Sequence, residues 1–185
     1  MRRIALSFWV AVGLAAFSVA SVSANTSNDM TSRASSIAEL FGLSLNDLSL
    51  ARLEKQLSSM GLRSYPSYKE GVVSYSLGPE GIFGVTNATI YSNASGYVSQ
   101  ALLSGVIESN EKRKALGELL EKKYGAPSEG FLNKGIGRST WLFKDGTMIE
   151  LHNSTFDVSI MYVDEHPREE MRSGQIDVEA LSRKK

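Results

Sequence analysis

The sequence predicts an α+β fold in which two helices pack on an antiparallel sheet, with the element order α-β-β-β-α-β-β-β. Two segments repeat apolar residues at the spacing of an amphipathic helix. Other segments alternate apolar and polar residues between glycine-rich turns, which is typical of antiparallel strands. Helices that lie on one face of such a sheet bury both patterns at once.

The N-terminus has the pattern of a secretory signal peptide, which we assign to residues 1–24. Arg2 and Arg3 form a basic start, an uncharged apolar stretch follows, and Val22 and Ala24 occupy the −3 and −1 positions of a cleavage site. An uncleaved N-terminal anchor is the alternative. We expect export to the periplasm or beyond, cleavage after Ala24, and no stable membrane span in the mature chain.

The rest of the chain divides into a leader, one domain and a tail. Asn25 to Ser36 is polar and lacks periodicity, and we expect a flexible leader over residues 25–40. A single α+β domain is predicted over residues 41–164, with two possible α-β-β-β halves at 47–107 and 109–164. Residues 165–185 form a highly charged tail, which we expect to be loosely attached or disordered.

The first helix is predicted to begin at Asp47 or Ser49, either of which can act as its N-cap, and to end at Gly61. Three strands follow it, separated by the turn sequences GPEG and NASG, and Gly105 indicates a bulge in the third strand. The apolar stripe of the helix consists of Leu50, Leu53, Leu57 and Met60.

The second helix has the clearest boundaries in the sequence. Ser109 or Asn110 caps its start, and Gly125 followed by Pro127 ends it. A loop is predicted over residues 128–139, and the segment TWLFKDGTMIELHNSTFDVSIMYVD then supplies three strands. The apolar stripe consists of Leu116, Leu119, Leu120 and Tyr124.

The composition excludes several classes of function. The chain has no cysteine, so cysteine nucleophiles, thiol redox chemistry and thiolate zinc sites are excluded, and an exported protein of this size must rely on its hydrophobic core. Lys and Arg number 20, as do Asp and Glu; removal of Arg2 and Arg3 leaves 18 against 20, a net charge of −2. This balance argues against nucleic-acid binding. We expect no cofactor.

Four phrases carry a resemblance to known proteins: FGLSL…LEKQLSSMG, LLEKKYGAP, TWLFKDGTMIEL and VSIMYVD. Over residues 41–164 they resemble a broad class of small exported bacterial proteins of unknown function. The layout is loosely similar to periplasmic outer-membrane assembly lipoproteins and β-lactamase inhibitory proteins, although the chain lacks the lipid-anchored cysteine of the former. The resemblance implies an exported α+β module. Its motifs are structural, so it implies no catalytic or binding residue.

The C-terminal strands carry large apolar residues on both faces. Asp145-Gly146 favours a two-residue type I′ turn, which places Trp141 beside Glu150. A four-residue NSTF loop then sets His152 opposite Asp157. The face expected to join the core contains Leu142, Ile149, Leu151, Val158, Ile160 and Tyr162. The opposite face is a candidate interaction face and contains Trp141, Phe143, Met148, Glu150, His152, Asp157 and Met161.

This interaction face has two alternatives. Another structural layer of the protein can cover it, in which case it binds nothing. A slip of one residue at the Asp145-Gly146 turn also transfers Trp141 and Phe143 to the aliphatic face and removes its aromatic anchors. A copper site formed by Met148, His152 and Met161 is disfavoured, because the first two lie about 13 Å apart along an extended strand. We therefore expect no metal.

Catalytic equipment is sparse. The chain has only two histidines, His152 and His166, and it has no G-x-S-x-G motif. Glu150 is the only acid well inside a predicted strand, which disfavours a pair of catalytic carboxylates. The KGIGRS segment, with Lys134 and Arg138, is a candidate anion-binding loop, although it lacks the context of a P-loop.

These observations favour an exported, non-enzymatic binding or interaction module whose partner is a protein or a cell-envelope component. The alternative is a small-ligand binder or an enzyme with its site at the loop 128–139 and the adjacent strand ends. A purely structural envelope protein is the third possibility.

Overall fold

The computed structural model describes residues 34–65, 67–79 and 81–169. The predicted signal peptide, residues 25–33 of the leader and residues 170–185 of the tail lie outside this range. Within it the chain forms two helices and ten strands. In chain order these are β1 Glu39–Leu40, β2 Leu43–Ser44, α1 Leu50–Ser59, β3 Ser64–Tyr65, β4 Val72–Ser76, β5 Val85–Ser92, β6 Val98–Val106, α2 Asn110–Tyr124, β7 Glu129–Asn133, β8 Ile136–Leu142, β9 Thr147–Asn153 and β10 Asp157–Asp164.

Eight strands form one antiparallel sheet in the order β3-β4-β5-β6-β10-β9-β8-β7, and β1 and β2 form a separate hairpin. Each helix is followed by a four-stranded meander. The last strands of the two meanders, β6 and β10, pair at the centre of the sheet, where Leu103 lies opposite Ile160. Two helices with an antiparallel sheet are thus confirmed.

The predicted order of elements is wrong. Each helix precedes four strands rather than three, and the β1–β2 hairpin precedes α1. Strands β1, β2 and β3 have two residues each, which is too short for an alternating pattern to be visible. Strand β7 lies within the glycine-containing segment 128–139, for which the sequence predicts a loop.

One face of the sheet is buried across its central strands, whereas the edge strands β3 and β7 are largely exposed. Residues directly opposite each other on paired strands point to the same side. An inner row therefore runs across five strands, and all its members are buried: Tyr75, Ala88, Leu103, Ile160 and Leu151. Leu53 and Leu57 of α1 and Leu116 and Leu120 of α2 belong to the same core cluster. Both helices therefore pack on this inner face.

The helix boundaries follow the capping residues. The Ser49 hydroxyl accepts a hydrogen bond from the backbone N–H of Arg52, and the Ser109 hydroxyl does the same for Lys112, so both serine N-caps are confirmed. Gly125 ends α2 with a φ of 84°, and its carbonyl accepts a hydrogen bond of 2.9 Å from the Trp141 indole.

No helix in the described ranges is long and apolar enough to cross a membrane.

The turn between β8 and β9 has three residues, so the predicted two-residue turn is wrong. Phe143 and Thr147 close it through an N–H to O contact of 3.0 Å, and Gly146 has a φ of 83°. The Asp145 carboxylate accepts hydrogen bonds from the Thr147 hydroxyl and N–H, which stabilises this longer loop. Trp141 consequently pairs with Ile149 rather than with Glu150.

The pairing of β9 with β10 also differs from the prediction, but by two residues, and the loop between them lies one residue later. Asn153 pairs with Val158, and Ser154 to Asp157 form the four-residue loop, in which the Ser154 hydroxyl accepts a hydrogen bond from the Asp157 N–H. The prediction had set His152 opposite Asp157. A shift of two residues preserves the faces, so Ile149, Leu151, Val158, Ile160 and Tyr162 are buried as predicted.

The predicted loop 128–139 forms most of the β7–β8 hairpin. Lys134 and Gly135 are its two turn residues, and both have positive φ, 52° and 82°, as a type I′ turn requires. Glycine at position 135 is required for a second reason, because a Cβ there would meet the α2 backbone at 2.7 Å. The glycines in this segment therefore permit a tight hairpin against a helix rather than a mobile loop.

Candidate functional site

The side of the sheet opposite the helices, here called the open face, carries three rows of residues across β4, β5, β6, β10, β9 and β8. None of their members is fully buried. The first row is Val72, Tyr91, Gln100, Val163, Met148 and Leu142, the second is Ser74, Thr89, Leu102, Met161, Glu150 and Thr140, and the third is Ser76, Asn87, Ser104, Ser159, His152 and Arg138.

The open face brings together five of the seven residues of the predicted interaction face: Met148, Glu150, His152, Asp157 and Met161. Trp141 lies on the opposite side with an exposed fraction of 2%, whereas Leu142 has taken the outward position with 52% exposed. Phe143 is half-buried against the core. The slip of one residue at the β8–β9 turn therefore removes both aromatic anchors from the predicted surface.

The charged residues of the open face are partly paired. The Arg138 guanidinium contacts the Glu150 carboxylate at 3.1 Å, and Arg138 lies opposite His152 on the neighbouring strand. Lys134 occupies the β7–β8 turn, so the predicted anion-binding loop has the structure of a closed hairpin. No group of three or more His, Cys, Asp or Glu side chains that can hold a metal ion occurs in the described part of the chain.

A pocket with a volume of about 340 Å³ lies on the other side of the sheet. It is bounded by α2, by the β1–β2 turn and by the central strands β6 and β10. The surface of the pocket is mostly aliphatic. Its principal apolar wall residues are Phe41, Leu103, Leu116, Leu119, Leu120 and Ile160.

One end of this pocket is polar. The ammonium group of Lys123 and the carboxylate of Glu39 form an ion pair of 2.9 Å. The Tyr124 hydroxyl donates to the Glu39 carbonyl at 3.1 Å and accepts from the Glu39 N–H at 3.3 Å, which fastens β1 to the end of α2. The Lys123 ammonium also lies 5.2 Å from the centre of the Tyr124 ring.

Two pKa shifts describe the electrostatics of this polar end. Burial disfavours the charged form of Lys123, but its contacts with Glu39 and Tyr124 outweigh this effect, so the pKa lies above its ordinary value. Burial, and then the neighbouring Tyr124, raise the pKa of Tyr162 far above its ordinary value. At neutral pH Lys123 is therefore charged and Tyr162 is protonated.

Backbone strain marks the apolar wall of the pocket. Phe41 is in the β1–β2 turn with a φ of 50°, a conformation that bulky residues rarely adopt. The Gln56 side chain of α1 donates a hydrogen bond of 3.3 Å to the Phe41 carbonyl and supports this turn. Strained residues concentrate at binding sites, because the surrounding structure must hold them in place.

The sequence did not reveal this pocket, because its walls come from six separate parts of the chain. Phe143, which the sequence had placed on the interaction face, instead lies near the polar end of the pocket. Phe143 packs its ring edge against Tyr124 with the centroids 5.5 Å apart, and Tyr124 in turn contributes to the raised pKa of Tyr162. The sequence showed only that Leu119 belongs to the apolar stripe of α2, and the structure places this leucine at the pocket wall with substantial exposure.

Comparison with protein-family models, with curated proteins and with solved structures finds no match to this chain. Function is therefore inferred from the geometry and chemistry of the site itself.

Proposed function

We propose that this protein is a non-enzymatic binding module that holds the alkyl chain of a small amphiphile in the pocket between α2, the β1–β2 turn and the sheet. The observation that carries the proposal is a pocket of about 340 Å³ with aliphatic walls and one polar end. Ligand sites typically have volumes of about 300 to 1,000 Å³ and apolar walls with a few polar groups.

The volume sets the length of the chain. A methylene group is close in size to a water molecule, which takes up about 30 Å³ in the liquid, so the pocket accepts roughly ten methylene groups. Burial of each methylene contributes about 0.8 kcal/mol. The loss of translational and rotational freedom offsets much of this gain. We therefore expect dissociation constants on the order of micromolar for chains of about ten to twelve carbons.

The polar end of the pocket supports binding rather than catalysis. Lys123 and Glu39 neutralise each other, and the Tyr124 hydroxyl is engaged with the Glu39 backbone. These groups offer hydrogen bonds to a ligand, whereas an acid–base catalyst needs a group poised to exchange a proton near neutral pH. Export by the predicted signal peptide would deliver the module to the cell envelope, where single-chain amphiphiles arise from lipids.

The proposal is tested by binding a series of uncharged alkyl amphiphiles of six to sixteen carbons to the full mature protein. Leu103→Trp places a larger side chain into the pocket from the centre of β6. Leu102→Trp is the matched control, because it is the same substitution one residue earlier and points to the open face. We expect affinity to rise with chain length up to about ten to twelve carbons and to be lost in Leu103→Trp alone.

Two results would contradict the proposal. One is the absence of saturable binding for any chain length below its micelle concentration. The other is equal loss of binding in the Leu102 and Leu103 variants, which would place the ligand outside the pocket. Circular dichroism on both variants shows whether each is folded.

A second candidate function is the docking of an amphipathic protein helix on the open face. Its specific support is the convergence of five predicted interaction residues on a face from which both described helices are absent. The first row of this face spans six strands, or roughly 24 Å at the usual strand spacing, and is mostly apolar, whereas the third row is polar. A helix of about 16 residues that lies across the strands matches this arrangement.

The second candidate is tested by in vivo photocrosslinking from Met148 and Met161, with Lys122 on the exposed side of α2 as the control position. We expect one protein adduct from both methionine positions, none from Lys122, and loss of the Met161 adduct when Met148 is changed to Glu. The same adducts from Lys122 would contradict a specific docking face.

A further inference from the structure

We infer that the pocket selects an amphiphile whose head group has no net charge and both donates and accepts hydrogen bonds, such as the glycerol head of a monoacylglycerol. This inference rests on the proposed function, since it names the class of ligand for the same pocket. Its basis is the composition of the polar end, where one cation and one anion lie within contact of each other.

The charges at the polar end of the pocket balance each other. Among the described residues that form the pocket wall, Lys123 is the one basic residue and Glu39 is the one acidic residue, and they are paired at 2.9 Å. An anionic head group that approaches Lys123 also approaches Glu39, and a cationic head group that approaches Glu39 also meets Lys123. Each charged head group therefore gains one attraction and one repulsion, and both have to be taken out of water.

The polar end of the pocket can both donate and accept further hydrogen bonds. The Lys123 ammonium has three donors and the Glu39 carboxylate has two acceptor oxygens, so their single contact leaves capacity on both sides. The Tyr124 hydroxyl already donates to one Glu39 backbone group and accepts from another. A vicinal diol uses the remaining capacity, because one hydroxyl can accept from Lys123 while the other donates to Glu39.

The ion pair at the polar end is accessible to a ligand. The side chains of Lys123 and Glu39 are 39% and 33% exposed, so solvent reaches the ion pair. Pairs of this kind contribute little stability, and rearrangement around a ligand is therefore inexpensive. The position of Glu39 is nevertheless fixed, because its own backbone is hydrogen-bonded to Tyr124. The head-group contacts are therefore made by mobile side-chain ends on a fixed backbone.

The test compares three ligands with the same twelve-carbon chain: dodecanoate, monododecanoylglycerol and dodecylammonium. Binding to the full mature protein is measured below the micelle concentration of each. We expect the wild type to bind the glycerol ester most tightly. Glu39→Gln should shift the preference towards dodecanoate by about tenfold, and Lys123→Gln should shift it towards dodecylammonium by a similar factor, which is the size of one charge-assisted hydrogen bond.

The double variant Glu39→Gln, Lys123→Gln should again favour the glycerol ester over both charged ligands. Glu121→Gln and Lys122→Gln are the controls, because they make the same charge changes on exposed positions of α2 that are not pocket walls. Their head-group preferences should equal that of the wild type.

The outcomes separate this inference from the proposal on which it rests. Tight binding of all three ligands with no head-group preference, or equal shifts in the control variants, would overturn the head-group inference and leave the chain-binding pocket in place. Failure of all three to bind would overturn both.

Discussion

Trp141 connects three parts of the molecule at the scale of a single residue. Its ring is buried in the core from strand β8, and its indole N–H donates to the carbonyl of Gly125 at the end of α2. Gly125 in turn follows Tyr124, whose hydroxyl holds the first strand at the polar end of the pocket. The tryptophan therefore fixes the end of the helix that forms one wall of the pocket.

Trp141→Ala should destabilise the protein by about 3 to 5 kcal/mol, because it leaves a large cavity and an unpaired helix-end carbonyl. Leu142→Ala, one residue later on the exposed side, should cost less than about 1 kcal/mol. Urea denaturation of both variants gives the comparison. If the turn at Asp145 and Gly146 had two residues, the order of the two effects would be reversed.

Tyr162 makes stability depend on pH in the alkaline range. Burial holds its hydroxyl protonated in the folded state, whereas in the unfolded chain it ionises near pH 10. Above about pH 10 the unfolded state therefore binds fewer protons, and stability falls as pH rises. Tyr162→Phe should make that fall shallower by up to about 1.4 kcal/mol per pH unit. Denaturation midpoints measured from pH 8 to 11.5 give the dependence of stability on pH for the wild type and the variant. The same dependence in both proteins would contradict a buried, protonated Tyr162.

At the scale of elements, close backbone approaches at glycines fix the turns and hairpins. Gly130 in β7 has a φ of 77°, and a Cβ there would lie 2.2 Å from the Arg138 carbonyl oxygen across the hairpin. Gly96, in the turn between β5 and β6, has nearly the same φ, 79°, but open space around the Cβ position. Substitution of Gly96 therefore measures the cost of the left-handed conformation alone, whereas substitution of Gly130 adds the cost of steric overlap.

Gly96→Ala should therefore cost about 1 kcal/mol, which is the conformational penalty of a positive φ. Gly130→Ala should cost roughly 1 to 3 kcal/mol more, because the hairpin must open to relieve the overlap. Chemical denaturation checks both values. Equal costs at the two positions would show that β7 and β8 are not paired as described.

Local signals were sufficient for part of the fold. Ser49, Ser109 and Gly125 define helix ends through their own side chain or backbone freedom, so each helix was predictable from a few neighbouring residues. The β8–β9 register was not, because the Asp145 carboxylate stabilises a three-residue loop in a sequence that also fits a two-residue turn. The pocket was not predictable either, because the residues that enclose it are distant in the sequence.

At the scale of the whole domain, the two meanders meet at the strands that line the pocket. Leu103 belongs to the first meander and Ile160 to the second, and they lie opposite each other at the base of the pocket. The β1–β2 turn and α2 enclose the space above them. The site is therefore a consequence of how the two halves join rather than of any local motif.

The most direct test of ligand binding in this pocket is a methyl NMR titration of residues 25–185 with monododecanoylglycerol. The Leu103, Leu116 and Ile160 methyl groups report on the pocket, and the Met148 and Met161 methyl groups report on the open face. Binding in the pocket predicts saturable shifts and ligand contacts at the first three, with the two methionine signals unchanged. Shifts confined to the methionine methyl groups, with the pocket signals unmoved, would contradict it.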